Sequence, residues 1–286
     1  MAVAVVGVSF SGPLVTLVAA PFLAITFWRN ALGALALLPV LLTRERSTLH
    51  GLRLRDLRSS AVAGLFLAAH FAAWLPSLSM TTVAASTALV TTTPIWTALA
   101  ARITGVRLPG AVWAGLVLAV LGASLIAGVD VSVSLEALAG DGLALLGAIC
   151  AGGYVLAGAH ARQRLATSAY TVVCYTTCAV AVAVVAAVVR DPLTGFSARD
   201  WLLILAITGC AQLLGHTLLN LVLSSVGPTV VSLAVLLEVP GALIAALILL
   251  GQAPPLLALP GMAAVVAGVA LVVRAGRPAT LVEPVT

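Results

Sequence analysis

The stretch TTTPIWTALAARITGVRLPGAVWAGLVLAVLG, residues 91–122, has a second copy further along the chain: LEVPGALIAALILLGQAPPLLALPGMAAVVAG, residues 237–268. Pro94 answers Pro240, Gly105 answers Gly251, Gly115 answers Gly261 and Gly122 answers Gly268. Each pair is 146 positions apart, as from Pro94 to Pro240. The same offset carries Gly7 to Gly153, Gly12 to Gly158, Ser86 to Ser232 and His70 to His216. A period this regular means that one structural unit has been used twice.

Composition says what the unit is made of. Of the 286 residues, 62% are hydrophobic and 8% are charged, against roughly a quarter charged in a soluble domain. Apolar runs of bilayer-spanning length, roughly 17–25 residues each, follow one another at 1–20, 22–42, 58–79, 82–101, 108–129, 141–160, 168–189, 201–224, 229–250 and 254–274. The expected fold is an all-α integral membrane protein of ten transmembrane helices. Loops are short, and no basic residue precedes Arg29, so the first run reads as a true helix and not as a cleaved signal peptide.

Five is an odd number, so the second unit enters the membrane from the side opposite to the first. The ten helices are therefore expected as two inverted five-helix repeats, residues 1–129 and 141–275, joined by a loop at 130–140 and followed by a tail at 276–286. Inverted repeats of this kind build many secondary transporters, with the substrate site near the midplane where the halves meet.

Charge sets the orientation. All fourteen basic residues are arginine. With the N-terminus inside, Arg44, Arg46, Arg53, Arg55, Arg58, Arg102, Arg107, Arg162, Arg164, Arg274 and Arg277 fall on the inner side, and only Arg190 and Arg199 on the outer. The positive-inside rule thus places both termini in the cytoplasm, and the expected location of the chain is the cytoplasmic (inner) membrane. The net charge of +5 reflects topology, and arginines strung along loops do not make a nucleic-acid face. Cys150, Cys174, Cys178 and Cys210 lie within apolar runs without metal-ligand spacing. They read as packing, and no metal or cofactor is expected.

The polar residues at membrane depth are the candidate site. Gln212, His216 and Asn220 stand four apart, which on an α-helix places them on one face. Their repeat counterpart carries His70, with Trp74 one turn on. A lone histidine in a helix bundle often bonds only a neighbouring helix, for ~0.6–2 kcal/mol. A repeat-related pair favours a cavity lining, although symmetric packing remains the competing reading. Glu238 is the carboxylate well inside an apolar run, where a charge costs at least ~2.5 kcal/mol. It must be neutral, face a partner or bind a cation, and it is the candidate coupling or cation-binding group. Its repeat counterpart is Thr92.

Arg29 has two readings: a side chain that snorkels to the interface, or a partner for Glu238 or for an anionic substrate group. Thr91, Thr92 and Thr93 mix two roles, capping the carbonyls loosened by Pro94 and facing a substrate, with Thr92 the candidate cavity residue. Tyr154, Tyr175, Trp28 and Trp74 are candidates to stack on a substrate, and Trp96 and Trp113 read as packing or interfacial anchors. Gly115 with Gly122, and Gly261 with Gly268, each seven apart, predict close helix packing in the bundle or between subunits.

These features together resemble the EamA family of the drug/metabolite transporter superfamily: ten spans in two halves, FWR at 27–29, and a proline followed eleven residues later by glycine in both halves. The resemblance covers the whole chain. It implies movement of a small metabolite, often export of an amino acid or related compound, through a central cavity by alternating access. It departs where members often carry a glutamate after that glycine, since Val106 and Gln252 stand there, and Glu238 precedes its proline by two residues instead of one. The expected partners are a small-molecule substrate, the lipid bilayer and, in one reading, protons, with the chain as a monomer or homodimer. The competing functions are a membrane-embedded enzyme, for which no catalytic spacing such as H-E-x-x-H is present, and a non-transporting membrane protein.

Overall fold

The computed structural model describes residues 1–45, 54–105, 108–128, 134–251 and 258–275. Among them the structure is helical throughout. We label the rods α1 (Ala2–Val15), α2 (Phe22–Thr43), α3 (Leu54–Met80), α4 (Val83–Ile103), α5 (Gly110–Gly128), α6 (Leu135–Arg162), α7 (Thr167–Val189), α8 (Ala198–Val226), α9 (Pro228–Leu250) and α10 (Ala258–Ala275). Seven of these, α2, α3, α4, α6, α7, α8 and α9, are long and apolar enough to cross a membrane, while α1, α5 and α10 are shorter apolar helices. The first run, expected over 1–20, is helical only to Val15. α6 begins at Leu135, inside the segment expected as connector, because Ser134 caps it by accepting the Ala137 N–H at 3.0 Å. Residues 129–133, the tail 276–286, and Val106 and Gln252 lie outside the described residues.

Proline sets the breaks within three rods. Pro13 has no N–H for the Ser9 carbonyl, and α1 divides at Phe10 into Ala2–Ser9 and Ser11–Val15. Pro94 leaves the Val90 carbonyl without its helical donor, and α4 divides into Val83–Val90 and Thr93–Ile103. The expected threonine caps are present: Thr93 Oγ1 donates to Val90 O at 2.9 Å, Thr91 to Thr87 O at 2.8 Å and Thr92 to Leu89 O at 2.7 Å. Pro240 does the same to Leu236, and α9 divides into Pro228–Val235 and Glu238–Leu250. The breaks in α4 and α9 therefore fall at repeat-related positions.

Glycine sets the close approaches. A Cβ on Gly115 would stand 2.7 Å from Gly268 O, and one on Gly122 would stand 2.6 Å from Gly261 O. Advancing along α5 means retreating along α10, so the two helices run antiparallel, backbone against backbone. A second exchange of the same kind appears elsewhere. Gly7 of α1 packs on Cys210 and Gly215 of α8, and its repeat counterpart Gly153 of α6 packs on Phe66 of α3. Buried apolar side chains gather in two groups. The larger lies chiefly among α1, α2, α3, α6, α7 and α8, and the smaller among α4, α5, α9 and α10.

One end of the bundle is tied across sequence. Asp200, at the start of α8, accepts the Ala19 N–H at 2.9 Å and the Ser197 hydroxyl at 2.6 Å. Nearby, Trp28 Nε1 donates to Leu193 O at 2.6 Å, and its ring meets Trp201 edge-on at 4.8 Å.

Candidate functional site

A cavity of about 60 Å³ opens where six rods converge: α1, α3, α4, α6, α8 and α9. Its polar wall comprises Ser11, His70, Trp74, Thr91, Thr93, Tyr154, His216, Asn220, Ser232 and Glu238, and its apolar wall includes Val8, Val90, Leu219 and Val235. Four of the rods carry the helix breaks or the irregular winding described here. Loosened backbone at membrane depth is tolerated where it is buried or lines a cavity.

His70 and His216 border the same space. His70 lies against Trp74 with ring centroids 5.6 Å apart and planes 20° apart. Its Nδ1 sits 2.9 Å from Gly147 O, and a carbonyl only accepts, so Nδ1 carries the proton. In the neutral ring Nε2 is then an acceptor. Gly147 makes room for this contact: a Cβ there would stand 3.2 Å from Trp74 Cβ. His216 meets Phe71 edge-on at 5.6 Å and Tyr154 at 6.0 Å. Tyr154 OH donates to Asn220 Oδ1 at 2.9 Å, joining α6 to α8 and leaving the Asn220 NH2 as its remaining polar group.

Gln212 does not line the cavity. The expectation of one shared face assumed α-helical winding, whereas Thr208–Thr217 is π-helical. The i→i+5 bond pattern winds more widely, so residues four apart no longer stack. Thr217 Oγ1 donates to Gln212 O at 3.0 Å across that wider turn. The Gln212 side chain turns instead to α2, accepting from Arg29 Nε at 2.9 Å and donating to Asn30 Oδ1 at 3.0 Å.

Arg29 does not snorkel. It is fully buried, with Nη1 donating to Ser11 Oγ at 3.1 Å and the guanidinium 4.3 Å above the Phe71 ring. Nor does it pair with Glu238 in this structure, since the ion pair among the described residues joins Arg55 to Asp56. Two turns inside the helix, the guanidinium finds partners for Nε and Nη1 on Gln212 and Ser11 instead of reaching the interface.

Thr92, Tyr175 and Trp28 also lie off the cavity. Thr92 is spent on the α4 break, and its neighbours Thr91 and Thr93 line the space instead. Tyr175 OH pairs with Thr217 Oγ1 at 3.1 Å behind α8. Trp28 is held at the tied end of the bundle.

Glu238 opens the second half of α9 and is buried, yet it borders the cavity. No described residue hydrogen-bonds or ion-pairs with its carboxylate. The helix N-terminus behind it favours negative charge. Two lining residues went unnamed as candidates, Ser11 and Ser232. Ser232 was visible as the repeat partner of Ser86, and it meets Thr97 Oγ1 at 2.9 Å. Ser11 carried no signal beyond polarity within an apolar run.

Among the described residues no group of histidine, cysteine and carboxylate side chains is arranged to hold a metal. The groups that converge are hydrogen-bond donors and acceptors, aromatic faces and one carboxylate, set among apolar side chains.

Comparison with known proteins agrees on the scaffold. A crystal structure of another protein superposes with a TM-score of 0.72 over 96% of each chain at 19% sequence identity, which establishes a shared fold. None of the curated proteins matches. The model of the EamA-like transporter family matches residues 1–128 and again 138–274, nearly the whole chain. With apolar rods, breaks at paired prolines and a polar cavity inside, the chain belongs to the EamA-like transporter family, within the drug/metabolite transporter superfamily.

Proposed function

We propose that the protein is a secondary transporter that moves a small metabolite, an amino acid or related compound, across the cytoplasmic membrane by alternating access, in the direction of export. One observation carries the reading: His70 and His216, repeat-related and drawn from different halves, face a single cavity with Tyr154, Asn220 and Glu238. A packing role would not require both rings at one space.

Ten spans in two inverted repeats, 1–129 and 141–275, complete the proposal, with both termini cytoplasmic as the arginine bias favours. The antiparallel crossing of α5 and α10 supports inversion. So does the exchange of contacts between Gly7 on α8 and Gly153 on α3, since a two-fold relation swaps partners in this way. A cavity of about 60 Å³ has room for a few water molecules. A metabolite therefore enters only when the halves part. The bonds of Asp200 to Ala19 and of Trp28 to Leu193 would break at one end as they do so.

The test compares small molecules outside cells that make the protein with those outside cells that lack it, by untargeted mass spectrometry. The proposal expects one chemical class to accumulate outside, and Tyr154→Phe with Asn220→Ala to reduce it. Indistinguishable media from cells with confirmed membrane expression would overturn export.

A further inference from the structure

We propose that Arg29, acting through Ser11, selects for an anionic oxygen group, a carboxylate foremost, on the molecule that enters the cavity. The assignment rests on the transporter reading and adds a substrate class to it. Arg29 is wholly buried, yet no described carboxylate lies within ion-pairing distance of it. The Phe71 face and the more distant Glu238 offset part of its desolvation cost, but no described anion touches the guanidinium itself.

Its hydrogen bonds show which part is uncommitted. Nε donates to Gln212, which is in turn held by Asn30, and this pairing fastens α2 to α8. Nη1 donates to Ser11 Oγ, and Ser11 is the point at which the network meets the cavity. Nη2 has no partner, although it is buried. The Ser11 hydroxyl accepts from Arg29, and no described acceptor takes its proton. One face of the guanidinium is covered by Phe71, so its edge is what remains to bind. Nε and Nη1 tie α2 to α8 and α1. The free Nη2 and the free hydroxyl proton are left for an acceptor from outside the protein.

The rest of the cavity is complementary to this corner. His70 Nε2 and the Glu238 carboxylate are acceptors, suited to donors or cations. Ser11, backed by Arg29, is the corner where an anion gains a charge-assisted bond. A carboxylate there would accept a hydrogen bond from the Ser11 hydroxyl and pair with the guanidinium behind it.

The test uses purified full-length protein in liposomes, with radiolabelled alanine, leucine and lactate set against their carboxamides, alaninamide, leucinamide and lactamide. The readout is the ratio of carboxylate to carboxamide uptake in wild type, Ser11→Ala, Arg29→Lys and Arg29→Gln. The proposal expects carboxylates to lead in wild type, and the ratio to fall about tenfold in Ser11→Ala, as for a lost bond to a charged group. Arg29→Lys keeps the charge and should retain more of the ratio than Arg29→Gln. Ser11→Ala keeps the test available if the Arg29 variants do not fold. Vesicles that transport but show an unchanged ratio in Ser11→Ala, or a wild type that prefers carboxamides, overturn the assignment alone. Wild-type vesicles that move no compound of either kind count against the transporter reading itself.

Discussion

Gly115 and Gly268 face each other without side chains between them: a Cβ on Gly268 would stand 2.5 Å from Gly115 O, and one on Gly115 would stand 2.7 Å from Gly268 O. The contact joins the last helix of one half to the last helix of the other. Gly268→Ala should therefore force α5 and α10 apart and cost about 1–3 kcal/mol, the range for overpacking. Thermal unfolding in detergent should show the loss as a lower midpoint. Gly142→Ala is the control, since nothing lies within 4 Å of its Cβ position, and there alanine should be neutral or stabilising by up to ~1 kcal/mol. Equal midpoints for the two variants would contradict the close crossing.

How much of this was legible depends on what each residue's position required. The histidines were legible because the 146-position offset needs no knowledge of local winding. The breaks in α4 and α9 were legible because a proline removes a donor wherever it sits. Gln212 was misplaced because the sequence does not announce the π-helical stretch Thr208–Thr217 that turns it away from His216. Of the two readings of Arg29, snorkelling fails, because snorkelling and burial are separated only by which polar neighbours arrive from distant helices, here Ser11 and Gln212. Thr92 missed the cavity by one residue on either side, a matter of helix phase at the break.

Gln212→Leu should be among the most destabilising single changes in the bundle. It removes the acceptor for Arg29 Nε and the donor for Asn30 together, and a lost bond to a buried charge costs about 1.5–3 kcal/mol. Thermal unfolding should drop accordingly, while Gln212→Glu should keep α2 and α8 joined by supplying an anion to Arg29. Wild-type stability of Gln212→Leu would show that the bond is not formed in the membrane-embedded state.

His216→Ala should lower transport at least tenfold with near-normal amounts of protein in the membrane. The ring meets Phe71 and Tyr154, and no described residue hydrogen-bonds it, so its loss opens the cavity wall without removing a hydrogen bond. His70→Ala should cost more protein, because it removes the side-chain bond that ties α3 to Gly147 O of α6. Immunoblots of membranes alongside uptake separate the two effects. Parallel loss of protein and transport in His216→Ala would favour a packing role.

Glu238→Gln keeps the size of the side chain and removes its ability to ionise. If the carboxylate couples transport to an ion gradient, the variant should lose accumulation against a gradient and keep exchange of solute across the vesicle membrane. Loss of exchange as well would assign Glu238 to binding a cationic group of the solute. Unchanged rates in both assays would leave it a structural residue.

The central claim is that the cavity is reached from each side of the membrane in turn. Ser232 lies on the cavity wall, completely buried, and Ser232→Cys is a near-isosteric probe once Cys150, Cys174, Cys178 and Cys210 are replaced. The direct measurement is labelling of Ser232→Cys by a membrane-impermeant maleimide, applied separately to right-side-out and inside-out vesicles. The account predicts slow labelling from both faces, slowed further by the transported solute. Labelling from one face only, or from neither, would contradict it.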